Sequence, residues 1–180
     1  MTTTKFTAGD LFPAITLPTL SGETIELGTP SENVDWRLVV VYRGKHCPLC
    51  TRYLNELETL KARFLQLGMD IVAVSADNQA QLELHMEQLS VTFPIAYGLT
   101  VEQMQTLGLY ISEPRSEKET DHLFAEPGLF VVNSKGQVQL VDISNGPFAR
   151  PDLEVLLSGL AFIRNPENDY PIRGTYQAAI

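Results

Sequence analysis

The sequence predicts an α/β fold in which a central mixed β-sheet is flanked by helices on both faces. Three observations carry this. Leu38–Tyr42 (LVVVY) and Met69–Ser75 (MDIVAVS) are apolar runs rich in β-branched residues, the pattern of strands covered on both faces. Between them Leu49, Tyr53, Leu54, Leu57, Leu60, Phe64 and Leu67 recur at helical spacing, with Gly68 as a C-terminal stop. Near the end, Pro127–Asn133, the turn Ser134-Lys135-Gly136 and Gln137–Val141 read as strand, turn, strand, followed by an amphipathic helix over Pro151–Phe162. Strand–helix–strand units imply parallel pairing with right-handed crossovers, and the late hairpin adds antiparallel strands.

The remaining elements fall into order around these. Phe6–Leu27 alternates apolar and polar residues around Pro13 and Pro18, and Ser21-Gly22-Glu23 separates two short β-like pieces, Ala14–Leu17 and Thr24–Leu27. Trp36 opens the central strand as a core or edge aromatic. Asp77 is the expected N-cap of a helix that presents Leu82, Met86 and Leu89 on one face, with His85 partly exposed between them. Phe93–Tyr97 is strand-like, and Thr100-Val101-Glu102-Gln103 is a capping-box pattern opening a short helix through Met104 and Leu107. Ser112–Glu126 is charged and aperiodic, which predicts a long surface loop, either functional or a solvated insertion. Residues 1–163 read as one domain, and 164–180 as a C-terminal tail that docks on the body or on a second subunit.

Composition narrows the class. A formal net charge of −9 argues against nucleic acid and anionic membrane as partners. Residues 1–20 lack a basic start followed by an apolar stretch, and no run is long enough to span a bilayer. The two cysteines, Cys47 and Cys50, cannot build a secreted disulfide framework, so the expected compartment is reducing and cytoplasmic.

Both cysteines fall where the buried strand turns into the helix, in Arg43-Gly44-Lys45-His46-Cys47-Pro48-Leu49-Cys50. A helix N-terminus offers unpaired N–H groups and the positive end of the macrodipole, and both favour a thiolate. Arg43, Lys45 and His46 add positive or ionisable groups, and Pro48 suits the first helical position. Cys47 is therefore expected to be exposed and to attack first. Cys50, one turn in, is expected to be more buried and to resolve a mixed disulfide. Two other readings stand beside this one. A C-x-x-C pair can be half of a zinc site, with only His46, His85 and His122 to complete it, and free cysteines can be inert core residues.

Taken together, the chain resembles the thioredoxin-like fold and, within it, the AhpC/TSA peroxiredoxin-like branch, from about Thr7 to Phe162. Gly9-Asp10-Leu11-Phe12-Pro13 with Leu17-Pro18 is similar to a peroxiredoxin opening. Val41–Cys50 is similar to the Y-R-G-x-x-C-P-x-C form of the active site, and Pro127–Asn133 to the strand that follows the active-site loop. The resemblance implies a redox-active disulfide and a Cys47–Cys50 dithiol that reduces disulfides or peroxides. It further implies a thioredoxin- or glutathione-type thiol reductant, no cofactor or metal, and homodimerisation as an option. Two departures stand out. Gly44 and Val40 occupy positions where peroxiredoxins place Thr or Ser and Pro, and Pro127 stands where they place a peroxide-polarising arginine. Arg150 matches a second family arginine, and Arg43 is the other candidate to replace the missing one. Pro127 also resembles the cis-proline beside the thioredoxin dithiol, so a cis peptide is expected there. The buried thioredoxin aspartate is replaced by Val41, which leaves His46 or Glu126 as proton acceptor. Copper-handling relatives of the fold use two cysteines and a loop histidine, a role for which His122 is placed, although their cysteines lie one residue further apart.

Overall fold

The computed structural model describes residues 6–177; the first five residues of the expected domain and the last three of the tail lie outside them. A hairpin of β1 (Thr16–Pro18) and β2 (Thr24–Glu26) precedes β3 (Trp36–Val41), α1 (Pro48–Gln66) and β4 (Met69–Val74). Next come α2 (Gln79–Met86), β5 (Ile95–Ala96), α3 (Val101–Thr106), β6 (Ile111–Ser112) and β7 (Phe124–Ala125). The chain closes with β8 (Gly128–Val132), β9 (Val138–Ile143), α4 (Leu153–Arg164) and a 3-10 turn over Pro166–Asn168. The main sheet runs β5-β4-β3-β8-β9, parallel across β5-β4-β3 and antiparallel across β3-β8-β9. This is the mixed sheet expected from the sequence.

Side-chain alternation in β3 builds a core on each face. Leu38, Val40 and Tyr42 pack with the apolar stripes of α1, α2 and α4. Val39 and Val41 pack with α3 and with Ile15, Leu17 and Leu27 around the N-terminal hairpin. Every residue of β3 is buried, which is why its sequence shows no alternation. The one charge inside it, Arg37, is satisfied by a two-pronged pair with Asp70 (2.8 and 2.6 Å) and by the Glu26 carbonyl. Burial alone would raise the Asp70 carboxyl, but the Arg37 bonds and charge win and hold it below the ordinary carboxylate value.

Several boundaries follow the sequence signals. Pro48 opens α1, and Gly68 (φ +75°) supplies the left-handed residue that ends it. Thr100 and Gln103 form the reciprocal capping box of α3. Other expectations are corrected. Asn78, with Gln81, caps α2, because the Asp77 carboxylate turns inward to the Lys45 amide instead. His85 is fully buried, since it shares the inward face with Leu82 and bonds the Thr51 hydroxyl at 2.8 Å. The 112–126 segment is no free surface loop: β6 and β7 pair at its base, and Phe124 and Glu126 are buried. The tail beyond α4 touches the body, with Tyr170 edge-on to Phe162 at 5.7 Å and Asn168 donating to the Phe162 carbonyl.

Candidate active site

The site forms where β3 delivers the Arg43–His46 turn to the N-terminus of α1. Cys47 is the N-cap, and its sulfur accepts the Cys50 N–H at 3.2 Å. The two cysteines are joined as a disulfide with Cα atoms 5.2 Å apart. Both are buried, Cys47 at 1% and Cys50 at 0% exposure, while Pro48 and Leu49 between them face solvent. The expectation of an exposed Cys47 is thus overturned. As N-cap, Cys47 folds its side chain back over the first turn, and the pair lies beneath Arg150.

Arg150 is the sequence candidate that the fold brings to the sulfurs. Its Nη2 lies 2.8 Å from Cys50 Sγ and 3.8 Å from Cys47 Sγ. The guanidinium is held by the Pro147 carbonyl (3.1 Å from Nε) and by the Tyr53 ring, 5.0 Å beneath it; Tyr53 in turn donates to the Pro151 carbonyl. Burial lowers the Arg150 pKa, but a guanidinium starts so high that it stays charged. Among the described residues, hydrogen bonds to the two sulfurs come from the Cys50 amide and Arg150 alone.

The other candidates sit around this centre with different partners. Arg43 turns away to Glu126 (3.1 Å) and Glu119 (3.6 Å), with its guanidinium over the Phe124 ring. His46 packs edge-on against Phe124 at 4.5 Å, and burial, reinforced by the Arg43 charge, lowers its pKa. Glu126 is occupied by Arg43 and by the Ser112 hydroxyl, so neither expected proton acceptor is hydrogen-bonded to a sulfur. Pro127 shares with Arg150, Tyr53 and Asp142 the lining of a cavity of about 10 Å³, room for one water. Its peptide bond is trans, correcting the expected cis form. The chain runs extended from β7 into β8 there, and the preceding Glu126 amide bonds the Tyr110 carbonyl, so nothing opposes the intrinsic trans preference. His122 faces Asp77 (3.4 Å) and Asp121 (2.8 Å), and among the described residues no group of three or more His, Cys, Asp or Glu side chains is arranged to hold a metal ion.

Sequence reasoning missed a buried polar group behind the cysteine turn. Asp77 is fully buried and accepts the Lys45 N–H at 2.7 Å. A Cβ on Gly44 (φ +134°) would stand 2.6 Å from Asp77 Oδ1, which explains why glycine occupies this position. His85 and Tyr42 adjoin it, their rings 5.7 Å apart. Burial lowers the His85 pKa and raises that of Tyr42, so both are neutral. The i, i+3 relation of Leu82 and His85 was the available signal for His85.

A buried cysteine pair joined as a disulfide at a helix N-terminus under an arginine, on a thioredoxin-like sheet, defines a thiol-dependent oxidoreductase. The AhpC/TSA family matches residues 8–141, and the chain belongs to that family; it is an oxidoreductase of the peroxiredoxin-like type. A Mycobacterium tuberculosis protein named provisionally as a peroxiredoxin is 26% identical over 140 residues, covering 76% of this chain and 84% of the relative. A Cys-to-Ser mutant of peroxiredoxin 6 from Arenicola marina superposes with a TM-score of 0.74 at 18% identity, covering 97% of this chain and 81% of the other. AhpC from Mycobacterium bovis gives 0.70 at 19% identity, covering 97% and 99%. No helix among the described residues is long and apolar enough to cross a membrane.

Proposed function

We propose that Cys47 and Cys50 are the catalytic pair and that the chain reduces peroxides with electrons from an external thiol. The observation that carries this reading is Arg150 over both sulfurs, a fixed positive charge where a thiolate and a peroxide oxygen would meet. The Cys47 thiolate, favoured by the helix N-terminus, attacks one peroxide oxygen; the O–O bond breaks and the other oxygen leaves, protonated, as alcohol or water. The Cys47 sulfenic acid that results is attacked by Cys50, releasing water and forming the observed disulfide. An external thiolate then attacks Cys47 Sγ and expels Cys50 as a thiolate beneath Arg150, and a second thiol completes the two-electron reduction. Burial of both sulfurs suits a small oxidant. A thioredoxin- or glutathione-type reductant, the cytoplasm and a homodimer complete the reading.

Disulfide exchange is the second reading. It is favoured by Gly44 and Pro127, which leave the site without the family's peroxide-holding hydroxyl and the arginine that polarises the peroxide. Steady-state peroxide consumption with thioredoxin or glutathione separates the two. The expected result is turnover that is lost in Cys47→Ser and falls strongly in Arg150→Ala. Wild type that exchanges disulfides but consumes no peroxide with either donor would establish the second reading instead.

A further inference from the structure

The segment between β6 and β7 is strapped to the cysteine-bearing turn by contacts that bypass the sulfurs. Arg43 reaches Glu119 and Glu126, Phe124 packs on Arg43 and His46, and Gln81 of α2 donates to Asp121 at 2.9 Å. The remaining tie is Asp77 to His122. Asp77 Oδ2 accepts the Lys45 N–H at 2.7 Å, and next to it the Gly44 carbonyl accepts the Cys47 N–H at 3.1 Å. Asp77 Oδ1 faces His122 Nε2 at 3.4 Å, while His122 Nδ1 lies 2.8 Å from Asp121 Oδ1 and 3.2 Å from Thr120 Oγ1.

The imidazole is thus bracketed by two carboxylates. Ionised carboxylates only accept, so a neutral ring turns a lone pair toward one of them, and only the doubly protonated ring offers a proton to each. Asp121 is exposed and has solvent as an alternative. Asp77 has none, so a neutral ring keeps its one N–H on Nε2 for Asp77, and the buried carboxylate loses the opposite charge beside it when the proton leaves. His46 of the turn feels the His122 charge; Asp77 is felt in turn by His46, by His85 of α2 and by Tyr42 just past β3, with Lys45 the cation near His85.

We infer that Asp77 is a positioning residue for the redox centre, setting the cysteine turn through the Lys45 amide, and that a doubly protonated His122 holds it there and closes the 113–123 loop. The inference rests on Cys47 and Cys50 being the redox pair. Asp77, then Asp121, lifts the His122 pKa above the ordinary histidine value against the opposing effect of burial. The tie therefore carries its full charge below about pH 6.5 and loses it, weakening, as pH rises through the higher folded value.

The test is an NMR titration of the His122 ring and the Lys45 amide, joined to tryptic cleavage after the exposed Arg115 and Lys118 and to the reaction rate of the oxidised protein with dithiothreitol. The Lys45 amide should shift with the same midpoint as His122, above the ordinary histidine value, and this transition should vanish in His122→Gln. At pH 6 His122→Gln should be cleaved after Arg115 and Lys118 about tenfold faster than wild type, and His122→Lys, which keeps the charge, should restore protection at those two sites, read by peptide mass apart from cleavage after position 122. The dithiothreitol rates of wild type and His122→Gln should differ below the midpoint and converge above it. A His122 midpoint at or below the ordinary value, or a Lys45 amide that ignores it, would overturn the inference. The Lys45 titration needs no redox chemistry, so it stands apart from the Cys47→Ser test of the redox pair.

Discussion

Replacing Arg150 by methionine removes the charge over the disulfide while keeping most of the side-chain volume. In the oxidised protein the guanidinium bonds only a weakly accepting disulfide sulfur, whereas on the proposed cycle it faces a thiolate of the reduced pair. A hydrogen bond to a charged group contributes about 1.5–3 kcal/mol. Arg150 is only part-buried, so solvent screening argues for the lower end of that range. For a two-electron couple, ~1.4 kcal/mol corresponds to about 30 mV. Arg150→Met should therefore lower the reduction potential by about 30 mV, because the reduced state loses its stabilisation and the disulfide becomes harder to reduce. Equilibration against glutathione buffers, followed by trapping and mass analysis of free thiols, measures this directly. Arg150→Lys, which restores charge without the planar fork, should recover part of the shift. An unchanged or raised potential in Arg150→Met would refute the role given to Arg150.

Other consequences follow from the same contacts. Asp70→Ala leaves Arg37 buried without its partner, and should cost about 3–5 kcal/mol in urea unfolding at pH 7. Because Asp70 titrates below its ordinary value in the fold, its contribution is present at neutral pH and fades as pH falls through that depressed value; Asp70→Asn should lack this part of the acid limb. Gly44→Ala combines a positive φ with a clash against Asp77, and should destabilise by about 2 kcal/mol or more, read by thermal unfolding. Cys50→Ser should stop the cycle at a Cys47 sulfenic acid, trapped by dimedone after one equivalent of peroxide.

Much of the fold was legible because its signals are local. The helical spacing from Leu49 to Leu67, Pro48 at the start and Gly68 at the end place α1 almost to the residue, and the Thr100–Gln103 box does so for α3. The cysteine pair was legible for the same reason, since strand, turn and helix N-terminus are adjacent in sequence. What escaped depends on distant segments meeting. Asp77 reads as a helix cap until β4 sets it beside the Gly44-Lys45 turn, where a backbone amide competes for its carboxylate. His122 reads as a loop histidine until the β6–β7 pair closes its loop against that turn. Arg37, a charge within an all-buried strand, required a partner, but the sequence could not say that Asp70 would stand opposite it in register. The exposure of Cys47 was misread because spacing fixes where an N-cap lies and not what covers it.

The most direct test of the central claim is peptide mass analysis of the reduced protein after one equivalent of hydrogen peroxide. Loss of both thiols together, with a Cys47–Cys50 linked peptide that an external thiol returns to two free cysteines, is the predicted result. Two thiols left free, or cysteine driven to sulfonic acid with no linked peptide, would contradict the assignment of this pair as the redox centre.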